Sequence, residues 1–126
     1  MNKRILLFFL VIGFAVPVGA RAQGVRKPMF AGAFYDADKT VLAARIDGYL
    51  GAVKDLPAVS GDVRAIICPH AGYVYSGPTA AYAYKLVQGK TYETVIIIGT
   101  SHQYGLDGAS IYLKGGFETP LGIAPV

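Results

Sequence analysis

The chain has 126 residues, room for one modest domain. Apolar residues make up 53% and charged residues 16%, which excludes an intrinsically disordered chain, and the sixteen glycines and seven prolines follow neither a collagen-like period nor an internal repeat. The formal charge of +4 is no argument for a nucleic-acid partner, because no basic stripe with interleaved aromatics accompanies it.

In chain order, Met1-Asn2-Lys3-Arg4 is a basic start, Ile5 to Val16 an apolar run, and Pro17 a helix breaker before Ala20-Arg21-Ala22. Basic, apolar and small-residue regions in that order predict a secretory signal over residues 1–22, with residues 23–126 as the exported domain. The apolar run of about 12 residues falls short of the roughly 20 needed to span a bilayer, so an uncleaved anchor is the weaker alternative. This segment is the only expected membrane contact, and the product belongs in the periplasm or outside the cell. Without Lys3, Arg4 and Arg21, nine Lys/Arg face eight Asp/Glu.

A helix is expected from about Lys39 to Gly51, capped by Asp38. Val41, Leu42, Arg45, Ile46, Tyr49 and Leu50 recur at helical spacing and form a stripe suited to packing on a sheet. Residues 55–61 read as a loop. Val63 to Cys68 reads as a core strand that Pro69 ends, since proline cannot donate to a ladder. Ser76 or Gly77 then caps a second helix over Pro78 to Val87, whose Ala80, Ala81, Ala83 and Tyr84 offer a close-packing surface. Glu93 to Gly99 reads as a second core strand, which completes a parallel βαβ unit covered on both faces. Ala109 to Leu113 is a weaker third strand. Gly115-Gly116 and residues 118–122 are turn-rich, and no strand is expected after them. The fold class is α/β, a mainly parallel sheet flanked by helices. Cys68 has no second cysteine to pair with, and its apolar neighbours predict a buried, inert thiol.

The only two histidines, His70 and His102, each lie just past the end of an expected core strand. Adjacent strands are about 4.8 Å apart, and parallel strands end on one edge, so two imidazoles there are placed to reach one ion. Gly72, Gly77 and Gly99 let backbone approach a bound group, and Tyr73, Tyr75 and Tyr104 offer hydrogen bonds or walls. Taken alone, a loop histidine is more often a surface residue than a ligand, and such tyrosines are more often packing. Two histidines also supply fewer protein ligands than the three of a typical open metal site.

Ala31-Gly32-Ala33-Phe34-Tyr35, Pro69-His70-Ala71-Gly72-Tyr73 with Tyr75-Ser76-Gly77, Gly99-Thr100-Ser101-His102 and Glu118-Thr119-Pro120-Leu121-Gly122 occur in that order. This string resembles the MEMO family, also called AmmeMemoRadiSam system protein B, and it covers nearly all of residues 23–126. The resemblance implies a fold like that of class III extradiol dioxygenases, α/β proteins built around a mononuclear non-haem iron site, here in truncated, N-terminal form. It implies that His70 and His102 match the family's two N-terminal metal-site histidines, with iron(II) as the cofactor and copper as the alternative. It further implies that other site residues, including a histidine and a cysteine, belong to a C-terminal part that this sequence does not contain. Within the matched motifs, Tyr73, Tyr75, Ser101 and Glu118 are the candidates for substrate binding. The sequence departs from the family at Asp36, where proline is usual, and in its apparent export signal.

The expected function is that of an exported MEMO-like protein with a metal site, redox-related and incomplete in this chain; enzyme activity does not follow from the fold. The alternative is a non-enzymatic protein that binds a peptide or small ligand in the same cleft. A third expectation is marginal stability, because an open sheet edge and exposed apolar surface would remain.

Overall fold

A computed structural model of the protein describes residues 24–113 and 115–126. The expected signal segment lies outside the described residues. Two helices and one small mixed sheet make up the regular structure, an α/β arrangement.

Helix α1 runs over Lys39–Ala52. Asp38 caps it as the sequence predicts: its Oδ1 accepts from the backbone N–H groups of Thr40 at 2.8 Å and Val41 at 2.9 Å. Two of the amides that a helix start leaves without intrahelical partners are thereby satisfied. Asp36, just outside the cap, reaches along the helix to Arg45: Nε donates to Oδ2 at 2.5 Å and Nη2 to Oδ1 at 3.2 Å. Such a forked, charge-assisted pair ties the incoming loop to the middle of the helix.

Helix α2 covers Tyr73–Val87 and starts well before the expected Pro78. The reason is tertiary. The Tyr73 N–H, which a helix start would otherwise leave unpartnered, donates to the Phe34 carbonyl at 2.8 Å. Gly72 is the N-cap, and its carbonyl accepts from Tyr75 and Ser76. Pro78 therefore lies inside the helix, preceded by Gly77, whose missing Cβ relieves the usual clash between a proline ring and the residue before it.

The stripe on α1 packs on α2, not on a sheet. Leu42 and Ala81, 2% and 3% exposed, are the buried apolar residues of this two-helix contact among those described. Tyr49 lies over Gly77, where a methyl group would overlap its ring.

The sheet has the order β1-β2-β3, with β1 at Val25–Arg26, β2 at Gly116–Thr119 and β3 at Gly122–Pro125. β1 pairs with β2 in parallel, Val25 opposite Gly116 and Arg26 opposite Phe117. β2 and β3 form an antiparallel hairpin closed by Pro120-Leu121, in which Thr119 Oγ1 donates to the Gly122 carbonyl at 2.8 Å and accepts from the Leu121 N–H at 3.2 Å. Gly122 has φ of +142°, a conformation that favours glycine. Residues 116–125, where turns and no strand were expected, thus supply two strands, and the sheet is mixed, not mainly parallel.

The expected strands at residues 63–68, 93–99 and 109–113 are not formed. Strands of a parallel sheet are stabilised by cover on both faces, and here Val95, Ile96, Ile97 and Ile98 are 70–91% exposed and Ile67 is 98% exposed. The helices bury their apolar faces against each other and cover neither stretch. Even so, the first two stretches meet at both ends. Tyr92 Oη donates to the Val63 carbonyl at 3.3 Å where they begin, and His70 meets His102 just beyond where they end.

Candidate functional site

His70 sits in the loop that feeds α2, and His102 in the loop after residues 93–99. Both side chains are exposed. Their Nε2 atoms are 3.2 Å apart, with ring centroids at 5.3 Å and a 36° tilt between ring planes. Thirty-two residues separate the two in the chain, so the approach is tertiary. At this distance the two ring nitrogens are within hydrogen-bond reach, with donor and acceptor set by the tautomers.

Two serine hydroxyls hold the loops on either side. Ser76 Oγ donates to the Ala71 carbonyl at 2.7 Å, with a longer approach to the Gly72 carbonyl at 3.4 Å. Ser76 is 6% exposed and is the one buried polar residue among those described. Ser101 Oγ donates to the Tyr104 carbonyl at 2.6 Å and accepts from the Tyr104 N–H at 3.2 Å, closing a tight turn around His102. The Ser101 hydroxyl, a candidate for substrate contact in the sequence, is engaged within its own loop. The sequence marks Ser76 as a cap candidate and a motif residue; the structure places it inside α2, where its hydroxyl bonds a backbone carbonyl instead.

The other candidates are dispersed. Tyr73 is half-buried against Tyr35, ring centroids 5.5 Å apart, and burial, with Tyr84 and Tyr35 adding to it, pushes its phenol pKa up. It borders a hollow of about 250 Å³ with Phe34, Tyr35, Asp36 and Arg45. The Arg45 guanidinium holds the Asp36 carboxyl below the usual carboxylate range, and Asp36 in turn raises Arg45. Tyr75 is 84% exposed and Tyr104 75%. Glu118 lies on β2, its Oε2 2.6 Å from Lys27 Nζ, an ion pair by distance without hydrogen-bond alignment. Arg26 lies over the Phe117 ring and Tyr112 packs on the same ring, so Glu118 belongs to a structural cluster that ties β1 to β2. A second cleft, about 470 Å³, lies between residues 62–64 and 90–92. Neither histidine lines either hollow, so their edges face open surface.

Cys68 is a free thiol, half-buried and not fully buried as the sequence suggested. Among the described residues no group of three or more His, Cys, Asp or Glu side chains is gathered to hold a metal, so the histidines are a two-donor pair. Among the same residues no helix is long and apolar enough to cross a membrane.

Residues 26–126 match the family described as Memo-like protein. The chain is 41% identical over 107 residues to a MEMO1 family protein of Nitrosopumilus maritimus, an alignment that covers 81% of this chain and 38% of that relative. It is 39% identical over 112 residues to a MEMO1 family protein of Methanothermobacter thermautotrophicus, covering 81% and 39%. With the memo-1 homolog of Caenorhabditis elegans it shares 37% identity over 119 residues, covering 94% and 33%. The chain thus spans under two fifths of the length of these relatives. The matched region contains both helices, the whole hairpin and both histidines, and on that breadth the chain belongs to the Memo-like protein family.

Proposed function

We propose that His70 and His102 are two ligands of a mononuclear metal site with a redox-related role, iron(II) first and copper second. The observation that supports this is the 3.2 Å separation of the Nε2 atoms. Two imidazoles bound to one ion through bonds of about 2.0–2.1 Å place their nitrogens about 2.9–3.4 Å apart for bond angles near 90–110°. Two imidazoles with open positions suit iron(II); nitrogen donors bind copper(II) more tightly by affinity order, which keeps copper as the alternative. When bound, the ion would supply Lewis acidity and a redox couple. What the chain's own residues supply is two neutral nitrogen donors on an exposed edge, with Tyr73 and Tyr75 on the adjoining helix as candidates for substrate contact. On the same reading, residues 63–68 and 93–99 pair into the mainly parallel, extradiol-dioxygenase-like sheet when both faces are covered, and residues 1–22 direct export.

The test is metal content. Titrated at equilibrium with iron(II), anaerobically, or with copper(II), the purified chain is expected to bind metal, and both His70→Ala and His102→Ala to bind it more weakly. Equal binding in all three proteins overturns the ligand assignment.

A second reading, a non-enzymatic protein that binds a peptide or small ligand, draws on the exposure of Tyr75 and Tyr104. It is favoured if a ligand found for the chain binds equally well with and without chelator.

A further inference from the structure

We infer that Ser76 and Ser101 are positioning residues that set the separation of the His70 and His102 rings. The inference rests on the metal-site reading for its purpose but not for its geometry.

Nothing packs the two rings in place. Both histidines are exposed, and among the described residues each ring's partner is the other ring. Exposed side chains ordinarily sample several rotamers on fast timescales. The rings can hold a fixed approach only if the backbone that carries them is fixed, and a hydroxyl fixes it on each side. Ser76 Oγ closes on the carbonyl of Ala71, one peptide beyond His70. Ser101 Oγ, one peptide before His102, bonds both the carbonyl and the N–H of Tyr104 and so spans the turn that contains His102.

Ser76 is an unusual choice for its place. A hydroxyl buried within a helix costs free energy unless it is bonded, and serine brings no gain in helix propensity. Alanine would fill the same space. The bond to Ala71 is what the hydroxyl adds, and its effect falls on the loop next to His70. Ser101 differs in being exposed, so its two bonds compete with water and its removal is expected to cost the fold little. The two serines come from different elements and act on different loops, yet both act on the residues that flank a histidine. Groups that orient metal ligands from behind are typically worth on the order of 10- to 100-fold in metal affinity.

The test separates geometry from metal. Nuclear magnetic resonance of the metal-free full chain, with labelled histidine rings, reads a cross-relaxation contact between the Hε1 protons of His70 and His102. Wild type is expected to show it. Ser101→Ala and Ser76→Ala are expected to lose it, and Ser101→Thr, which restores the hydroxyl, to recover it. If wild type shows no contact, or if Ser101→Ala keeps it undiminished, the positioning role is overturned. Because Ser76→Ala alters a buried site, Ser101→Ala decides the question if the former unfolds. In parallel, a cobalt(II) titration of the same proteins is expected to weaken on the order of tenfold in Ser101→Ala. Wild type that shows the ring contact but binds cobalt(II) no better than His70→Ala would overturn the metal reading and leave the positioning role standing.

Discussion

The ring of Tyr49 on α1 occupies the space where a side chain at Gly77 of α2 would begin. This contact and the burial of Leu42 and Ala81 set how closely the two helices approach. It makes Gly77 a residue with two tasks, since it also precedes Pro78.

Gly77→Ala is therefore expected to destabilise the chain although alanine is the better helix former. Overpacking costs about 1–3 kcal/mol, against a propensity gain of about 1 kcal/mol. The net loss is a few tenths to about 2 kcal/mol by chemical denaturation. In a Tyr49→Ala background the same substitution is expected to become neutral or stabilising, because the obstructing ring is gone. A loss of equal size in both backgrounds would mean that the proline junction, and not the helix contact, demands glycine.

The Asp36–Arg45 pair predicts a pH dependence of stability. Asp36 has its pKa lowered from 3.8, chiefly by its hydrogen bond with Arg45 and secondarily by the charge attraction between them. A carboxyl with a depressed folded pKa contributes stability that is complete above the unfolded value and lost as pH falls through the folded value. Wild type is thus expected to be more stable than Asp36→Asn at neutral pH. That advantage shrinks below pH 3.8 and vanishes once Asp36 is protonated. Thermal melts of the two proteins from neutral to strongly acidic pH test this. A constant difference across the range would show that the pair acts through packing alone.

The uncovered run Val95 to Ile98 predicts association. Four consecutive apolar side chains at 70–91% exposure form a surface that water solvates poorly. Light scattering of the chain is expected to show concentration-dependent assembly, and Ile97→Lys to suppress it without lowering the thermal midpoint, since Ile97 is 90% exposed and supports no packing. A large drop in the midpoint would show that Ile97 is buried in solution.

Much of the local structure was legible because its causes are local. Asp38 caps α1 through atoms two and three residues away. The apolar stripe of that helix follows from its period, and so does the fact that one of its faces must be covered. The pairing of the two histidines followed from matching strand ends, and the structure brings them together without the strands being formed. The partners of Ser101 and Glu118 were not legible: Ser101 bonds within its own turn and Glu118 pairs with Lys27, and neither partner is marked by sequence spacing.

What the sequence by itself determined is the two helices, the Asp38 cap and the motif string of the Memo-like family. Tertiary structure alone decided where α2 begins, because the Tyr73 amide finds its acceptor in the Phe34 carbonyl, far back in the chain. It also decided which residues form the sheet. β1 and β2 are two and four residues long and meet across some ninety positions. Their pairing depends on the aromatic and charged contacts of Arg26, Lys27, Tyr112, Phe117 and Glu118. The more apolar stretches around Ile67 and Ile97 form no strand, since strand pairing requires a covering layer as well as β-prone residues, and periodicity encodes only the latter.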